Sequence, residues 1–250
     1  MLADGICYTR AMRQEGLRVF REQVVPQLKH RNLGKIKVMI LGGSMQDPEI
    51  DLLMRNFMVL EVNFLGIDST NIGECDFQYL DFNHLSTKVR EYDVDVAICT
   101  GVVEHLWNLD AMFKNFYAII PNSALLWVSF PVSQFPHGSP EWYSAGYNPT
   151  MISKLANLNG FNCLRSGQFG NRRNYLFRHL LHLWPEKGDG VWFAFRWPLI
   201  SYLPIAGNLG KKFIYQFKTI PHRLILQFSS KSTVHDMMTA TGGWVLLERR

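Results

Sequence analysis

The sequence predicts an α/β fold, a mostly parallel sheet with helices on both faces and an aromatic, basic helical insertion before the last strand. Three observations carry this. Short apolar runs with little alternation recur from residue 37 onward, and runs rich in Val, Ile and Leu suit strands buried on both faces. Helical patterns alternate with those runs, as in successive βαβ units. From residue 171 to 238 the rhythm stops, in a stretch rich in Trp, Phe, Leu and Arg/Lys that holds four prolines.

An amphipathic helix comes first, within an amino-terminal segment of residues 1–35. Over residues 10–25, Leu17, Phe20 and Val24 share one face, arginines occupy the other, and Pro26 is expected to end it. It reads as a lid or brace. Gly34 separates it from a first strand at Lys37–Leu41. Further strands are expected at Val62–Ile67, Phe77–Leu80, Val94–Cys99 and Ala124–Phe130. Asp47-Pro48 opens a helix, with Asp as N-cap and Pro at the first helical position. A second runs from Asp110 to Ile120 and stops at Pro121-Asn122. A third follows Asn148-Pro149-Thr150 and closes at Gly160, a residue suited to the left-handed position after a helix. Phe161–Ser166 reads as a sixth strand, and Ala240–Arg250 as a turn and a closing edge strand. The α/β domain therefore spans 36–170 and 239–250, around an insertion at 171–238.

Composition agrees with that plan. A chain of 250 residues, 47% hydrophobic and with a net charge of only +5, excludes disorder and is long enough to bury a substantial core. Four cysteines (Cys7, Cys75, Cys99, Cys163) lie far apart with no CxxC pair, which excludes a disulfide scaffold and a zinc knuckle. They read as buried thiols in a reducing compartment. Charge is segregated along the chain. Residues 1–36 carry +4, residues 37–170 carry −7, residues 171–223 carry +7 and residues 224–250 carry +1. Segregation of this kind marks separate tasks, a domain for a small ligand and a face drawn to an acidic surface. No apolar run of signal-peptide length precedes Arg10 and Arg13. The stretch Val191–Gly210 is broken by Arg196, Pro198 and Pro204, short of the roughly 18 apolar residues a spanning helix needs. A cytoplasmic protein is expected, with peripheral contact at the inner membrane face as an option.

In such a sheet, ligands bind beyond the carboxyl ends of the strands, where the strand order reverses. Four segments fall there. Gly42, Gly43 and Ser44 follow the first strand, where glycines let backbone approach a ligand and a helix N-terminus favours a carboxylate. A tight strand-to-helix turn explains the same residues. Asp68 ends the second strand, where an acid can take both hydroxyls of a ribose; a solvated turn aspartate is the alternative. Asp81 follows the third strand, in reach of an adenine amino group. Thr100 and Gly101, then Glu104 and His105, follow the fourth.

Taken in order, VMILGGS, GIDST, YLDFN and DVAICTGVVEHL resemble the successive cofactor motifs of class I S-adenosylmethionine-dependent methyltransferases, whose sheet is Rossmann-like. Glu104-His105-Leu106 is similar to the acid–His–aliphatic step after the fourth strand in the small-molecule branch. Phe130-Pro131, the PHGSP stretch from Pro136 to Pro140, Tyr143 and Gly160-Phe161 resemble the corresponding segments of methyltransferases found with bacterial surface-glycan enzymes. Those proteins often carry a hydrophobic, basic insertion before a last strand resembling GGWVLLERR. The resemblance covers residues 36–170 and 240–250. It implies S-adenosyl-L-methionine as cofactor, held by Gly42, Gly43, Ser44, Asp68, Asp81, Thr100 and Gly101. It also implies methyl transfer to a sugar or other small hydroxyl acceptor, free or lipid-linked, in glycan biosynthesis. One position departs from the family. The acid expected two residues before the first glycine is Ile40, and Ser44 and Gln46 stand at the next two glycine positions. The task of holding the cofactor's amino-acid end then falls to backbone groups, to Glu49, or to nothing.

A hydroxyl acceptor must lose a proton, and histidine is the natural base near neutral pH. His137, in a Pro/Gly/Ser-rich loop, and His105 are the candidates, with Glu104 orienting an imidazole or binding substrate hydroxyls. A loop-orienting role accounts for the position of His105 as well. Trp142, Tyr143 and Tyr147 suit stacking on a sugar, or core packing. No metal-ligand spacing is present. The insertion's nine cations among aromatics at 171–223 suit an anionic bilayer surface. A helical subdomain packed on the sheet accounts for them as well. Four prolines and the lack of a reader motif argue against nucleic acid as a partner. Two other classes compete: a non-catalytic binding or membrane-docking module with a degenerate cofactor loop, and a nicotinamide-dependent oxidoreductase. The second requires GxGxxG, which Gly42-Gly43 does not satisfy.

Overall fold

The computed structural model describes residues 6–43, 47–66, 78–79, 81–86, 91–132, 143–144, 146–170 and 242–250. Ser44, Asp68, His137 and the insertion 171–238 lie outside the described residues. By its contacts the chain divides into two units, one of Met1–Glu15 with Phe169–Thr241, the other of Gly16–Gln168 with Gly242–Arg250. The sheet belongs to the second of these.

Seven strands form one sheet: β1 Lys35–Leu41, β2 Met58–Gly66, β3 Gln78–Tyr79, β4 Val96–Thr100, β5 Leu125–Pro131, β6 Phe161–Phe169 and β7 Gly242–Arg249. Their order is β3-β2-β1-β4-β5-β7-β6. The first five pair in parallel, and β7 runs antiparallel to β5. The helices are α1 Ile6–His30, α2 Pro48–Asn56, α3 Leu109–Ile119 and α4 Pro149–Leu158. Strand order reverses between β1 and β4, so the crevice expected to take a ligand lies beyond Leu41 and Thr100.

Each face of the sheet is closed by helices. Met39, Leu41, Ala97, Cys99, Leu126, Val128, Val245 and Leu247 pack with α3 and α4 through Phe113, Phe116, Ile152 and Ala156. Alternation sends Trp127 to the other face, where Phe20 of α1 meets its ring edge-on at 5.4 Å and Trp244 of β7 stacks on it at 5.3 Å. Side-chain caps are made at α3 and α4, where Asn108 and Asn148 accept from the Ala111 and Thr150 amides, but not at α2, where the expected N-cap Asp47 makes no side-chain cap bond. Gly160 follows α4 with φ of +88°, and a Cβ there would run into the Tyr117 ring.

Three expectations are corrected. Pro26 does not end the first helix, which continues to His30. Proline removes one backbone bond and crowds the preceding turn, but Val24, Val25 and Leu28 are buried, and that packing carries the helix past it. The last strand is not an edge strand. β7 lies between β5 and β6, and its first six residues are buried, as befits an unalternated GGWVLL run. The edge is β6, whose middle residues are polar and partly exposed. For that reason Cys163 on β6 is only half-buried, while Cys99 on β4 is fully buried, and both are free thiols.

Candidate functional site

The turn after β1 is built by its glycines. Gly42 takes φ of +75° and donates its amide to the Leu65 carbonyl at 2.8 Å, which anchors the turn to β2. Gly43 has no room for a side chain. A Cβ there would overlap Oδ2 of Asp47 and stand 2.6 Å from Cγ2 of Ile40. Ile40, near the end of β1, is thus an aliphatic group packed under the turn. Asp47 precedes α2 with extended backbone, but its side chain makes no cap bond and is buried against Gly43.

Glu49, in the first turn of α2, is 3% exposed, and its Oε1 accepts from the Thr100 hydroxyl at 3.5 Å. Thr100 closes β4, so this contact spans the reversal between β1 and β4. Gly101 turns the chain with φ of +67° and donates its amide to the Ser129 carbonyl at 3.0 Å. A Cβ on Gly101 would meet only Oε1 of Glu104, at 3.8 Å.

A 3-10 turn at Val103–His105 follows, and Glu104 within it is 3% exposed. Its Oε2 is buried with no hydrogen-bond partner among the described residues. Burial pushes the Glu104 carboxyl above its ordinary pKa, against a hydrogen bond from its own backbone and the charge of His105. The Glu104 carbonyl accepts the Tyr143 amide at 2.9 Å, and the Tyr147 amide bonds the Pro131 carbonyl at 2.8 Å, so the segment after β5 is fastened over this turn. Tyr147 has its phenol pKa raised by burial, opposed by a bond with Ser144 and reinforced by the Glu104 charge. The Cys99 thiol is likewise raised, by burial first and by Glu104 second.

Asp81 stands after β3, half-exposed, with Oδ1 accepting the Asn83 amide at 2.9 Å and Oδ2 facing Nδ1 of His84 at 2.7 Å. Burial works against its carboxylate, yet the His84 and Asn83 hydrogen bonds outweigh it and the pKa falls. Three asparagines fasten this loop to α3. Oδ1 of Asn83 accepts the Trp107 and Asn108 amides, the Asn108 side chain donates to the Asn83 carbonyl, and the Asn115 side chain spans His84 and Ser86.

Gly42, Gly43, Thr100, Gly101, Glu104 and His105 therefore meet at one end of the sheet, and Asp81 lies on the loop tied to the start of α3. Nothing in the sequence marks the asparagines as carrying chemistry. Only the N-cap position of Asn108 signals one of them. Among the described residues no group of three His, Cys, Asp or Glu is arranged to hold a metal, and no helix is long and apolar enough to cross a membrane.

No family model matches the chain, and no curated protein matches its sequence. Solved structures do match. The [4+2]-cyclase SpnF superposes with a TM-score of 0.50 at 10% identity, over 91% of this chain and 80% of that one. A SAM-dependent methyltransferase from Archaeoglobus fulgidus gives 0.47 at 12% identity, over 92% and 94% of the two chains. The StiE O-MT gives 0.47 at 13%, over 94% and 74%. At such identities the likeness is one of fold alone: this is a Rossmann-like α/β protein.

Proposed function

We propose that the chain is an S-adenosylmethionine-dependent methyltransferase that O-methylates a sugar or other small hydroxyl acceptor in surface-glycan synthesis. The observation that carries the proposal is the end of the sheet beyond β1 and β4, where the turn after β1 has no room for a Cβ at Gly43 and the turn after β4 buries Oε2 of Glu104 with no hydrogen-bond partner among the described residues. Such a site fits an adenosyl amino acid. Gly42, Gly43 and Ser44 would line its amino-acid end, Asp68 its ribose, Asp81 its base, and Thr100 and Gly101 the floor of the crevice. The cofactor supplies a methyl group on a sulfonium, an electrophile that needs no further activation.

The remaining work falls to this chain's own side chains. They align the acceptor hydroxyl and keep out water, a large share of such a reaction's acceleration. Glu104 Oε2 accepts the hydroxyl's hydrogen bond, and His137 or His105 takes its proton. Tyr143 and Tyr147, fastened next to Glu104, offer rings to a sugar face. The basic, aromatic segment 171–223 would bring the enzyme to an anionic membrane surface, where a lipid-linked acceptor resides; flotation with anionic liposomes at low salt tests this, and no association would remove it.

The test of the activity is thermal unfolding with S-adenosylmethionine, S-adenosylhomocysteine and NAD. A ligand at about 100 times its Kd stabilises by roughly 2.7 kcal/mol. For a chain of this size the shift is about 5–10 °C. Both adenosyl ligands are expected to shift the transition and NAD is not. Asp68→Ala should abolish the shift, whereas His137→Ala should leave it and lower turnover. Absence of a shift with either adenosyl ligand overturns the enzyme reading. A second reading, a methyltransferase-fold module that binds or docks without catalysis, is favoured by Ile40 at the family's acid position. A neighbour described as a cyclase adds that one fold serves more than one task.

A further inference from the structure

We propose that Glu49, on α2, is the residue that receives the cofactor's α-ammonium group, in place of the carboxylate that the family carries on β1. The inference rests on the methyltransferase reading and adds a residue assignment to it. Ile40 cannot do this work, because its Cγ2 packs under Gly43 and offers no acceptor. Two carboxylates lie buried near the turn, Asp47 and Glu49. Asp47 is pressed against the Gly43 backbone, the position of a group that shapes the turn. Glu49 reaches the other way, to the Thr100 hydroxyl at the end of β4, and so stands in the crevice between the two strands that part there.

A second buried acid marks the same strand end as a ligand site. Among the described residues, Glu104 has no hydrogen-bond partner for one carboxylate oxygen, and its other oxygen lies close to Gly101, the residue after Thr100. A buried carboxylate is costly unless something cationic or proton-donating completes its shell. An ammonium group donates three hydrogens and carries the matching charge. The Thr100 hydroxyl lies 3.5 Å from one oxygen of Glu49, and a carboxylate can accept several hydrogen bonds at once. The first turn of α2 holds the acid rigidly, which a carboxylate on a mobile loop would not achieve.

The experiment compares S-adenosylhomocysteine with its deamino analogue, which keeps the nucleoside, the thioether and the carboxylate but lacks the ammonium. Affinities are measured by calorimetry on the full chain and on Glu49→Gln. Charge-assisted hydrogen bonds of this kind correspond to about a 10–100-fold difference in affinity. The wild type should bind S-adenosylhomocysteine that much more tightly than the deamino analogue, and Glu49→Gln should bind the two within about threefold while its affinity for the analogue is unchanged. Asp47→Asn should retain the preference. Preference kept in Glu49→Gln, or lost in Asp47→Asn alone, overturns the assignment. Equal loss of both ligands in Glu49→Gln overturns it too, since the residue would then act on the turn as a whole. Should Glu49→Gln fail to fold, Glu49→Ala removes the carboxylate in its place, and an undiminished preference there is equally fatal. A wild type that binds neither ligand defeats the methyltransferase reading itself, an outcome distinct from all of these.

Discussion

The Tyr143 amide donates to the carbonyl oxygen of Glu104 at 2.9 Å, so the segment after β5 is bonded to the turn that ends β4. Glu104 is held there with its carboxylate buried and one oxygen unpaired among the described residues. Burial raises its pKa in the folded chain above the unfolded value of about 4.3. Between those two values the folded state keeps a proton that the unfolded state has lost. Stability from this group is therefore full below the unfolded pKa, falls as the pH rises towards the folded pKa, and stays low above it. Glu104→Gln removes the penalty. The variant should be at least as stable as the wild type at pH 8, and the gap should narrow as the pH approaches 4, measured by urea unfolding across that range. A variant less stable at pH 8 than at pH 4, relative to wild type, would mean that the carboxylate is ion-paired in the fold.

Gly43 and Gly34 make a matched pair of tests. A Cβ at Gly43 would overlap Asp47 and crowd Ile40, whereas one at Gly34 meets nothing within 4 Å. Gly43→Ala should destabilise by about 1–3 kcal/mol, the usual range for overpacking. For a chain of this length that lowers Tm by about 2–4 °C per kcal/mol. Gly34→Ala should be neutral or slightly stabilising. Adenosyl-ligand affinity should fall only in Gly43→Ala; equal Tm values for the two variants would refute the described turn.

Asn83 connects the loop bearing Asp81 to the start of α3 through two amides and one carbonyl. Asn83→Ala strips both amides of their acceptor. A loss of about 1–3 kcal/mol is expected on urea unfolding. Hydrogen exchange should quicken at Trp107 and Asn108. Unchanged protection at those two amides would show that water replaces the side chain without loss.

Much of the fold is legible in the sequence, and the limits have physical causes. The helices at Pro48–Asn56, Leu109–Ile119 and Pro149–Leu158 carry their boundaries in local chemistry, an Asp or Asn before each and a Pro or Gly nearby, so short-range reading finds them. The site glycines are legible for the same reason. The place of β7 is not, because a strand's neighbours are set by pairing across the sheet rather than by its own residues; only its missing alternation hints at an inner position. Glu49 is one of three options that the sequence leaves open for the cofactor's amino-acid end. Acids in a first helical turn usually face solvent and favour the helix dipole, and nothing local shows that this one is buried against Thr100. The asparagine network leaves no local signal because its members are 24 to 31 residues apart.

Pro26 supplies the last test. α1 runs four residues beyond it to His30, and the residue itself is exposed. Proline in a helix interior is about 3 kcal/mol less favourable than alanine, through the missing N–H and the clash with the carbonyl four residues earlier, here that of Glu22. Part of that is offset, because proline also restricts the unfolded chain by about 0.4–1 kcal/mol. Exposure means that Pro26→Ala forfeits no core contact, while Val25 and Leu28 on either side keep theirs. The variant should therefore be more stable by about 2–3 kcal/mol, with Tm raised by roughly 2–4 °C for each. A fall in Tm would mean that a proline-made bend is what seats Leu28 in the core, and that α1 packs on the sheet only because it is not straight.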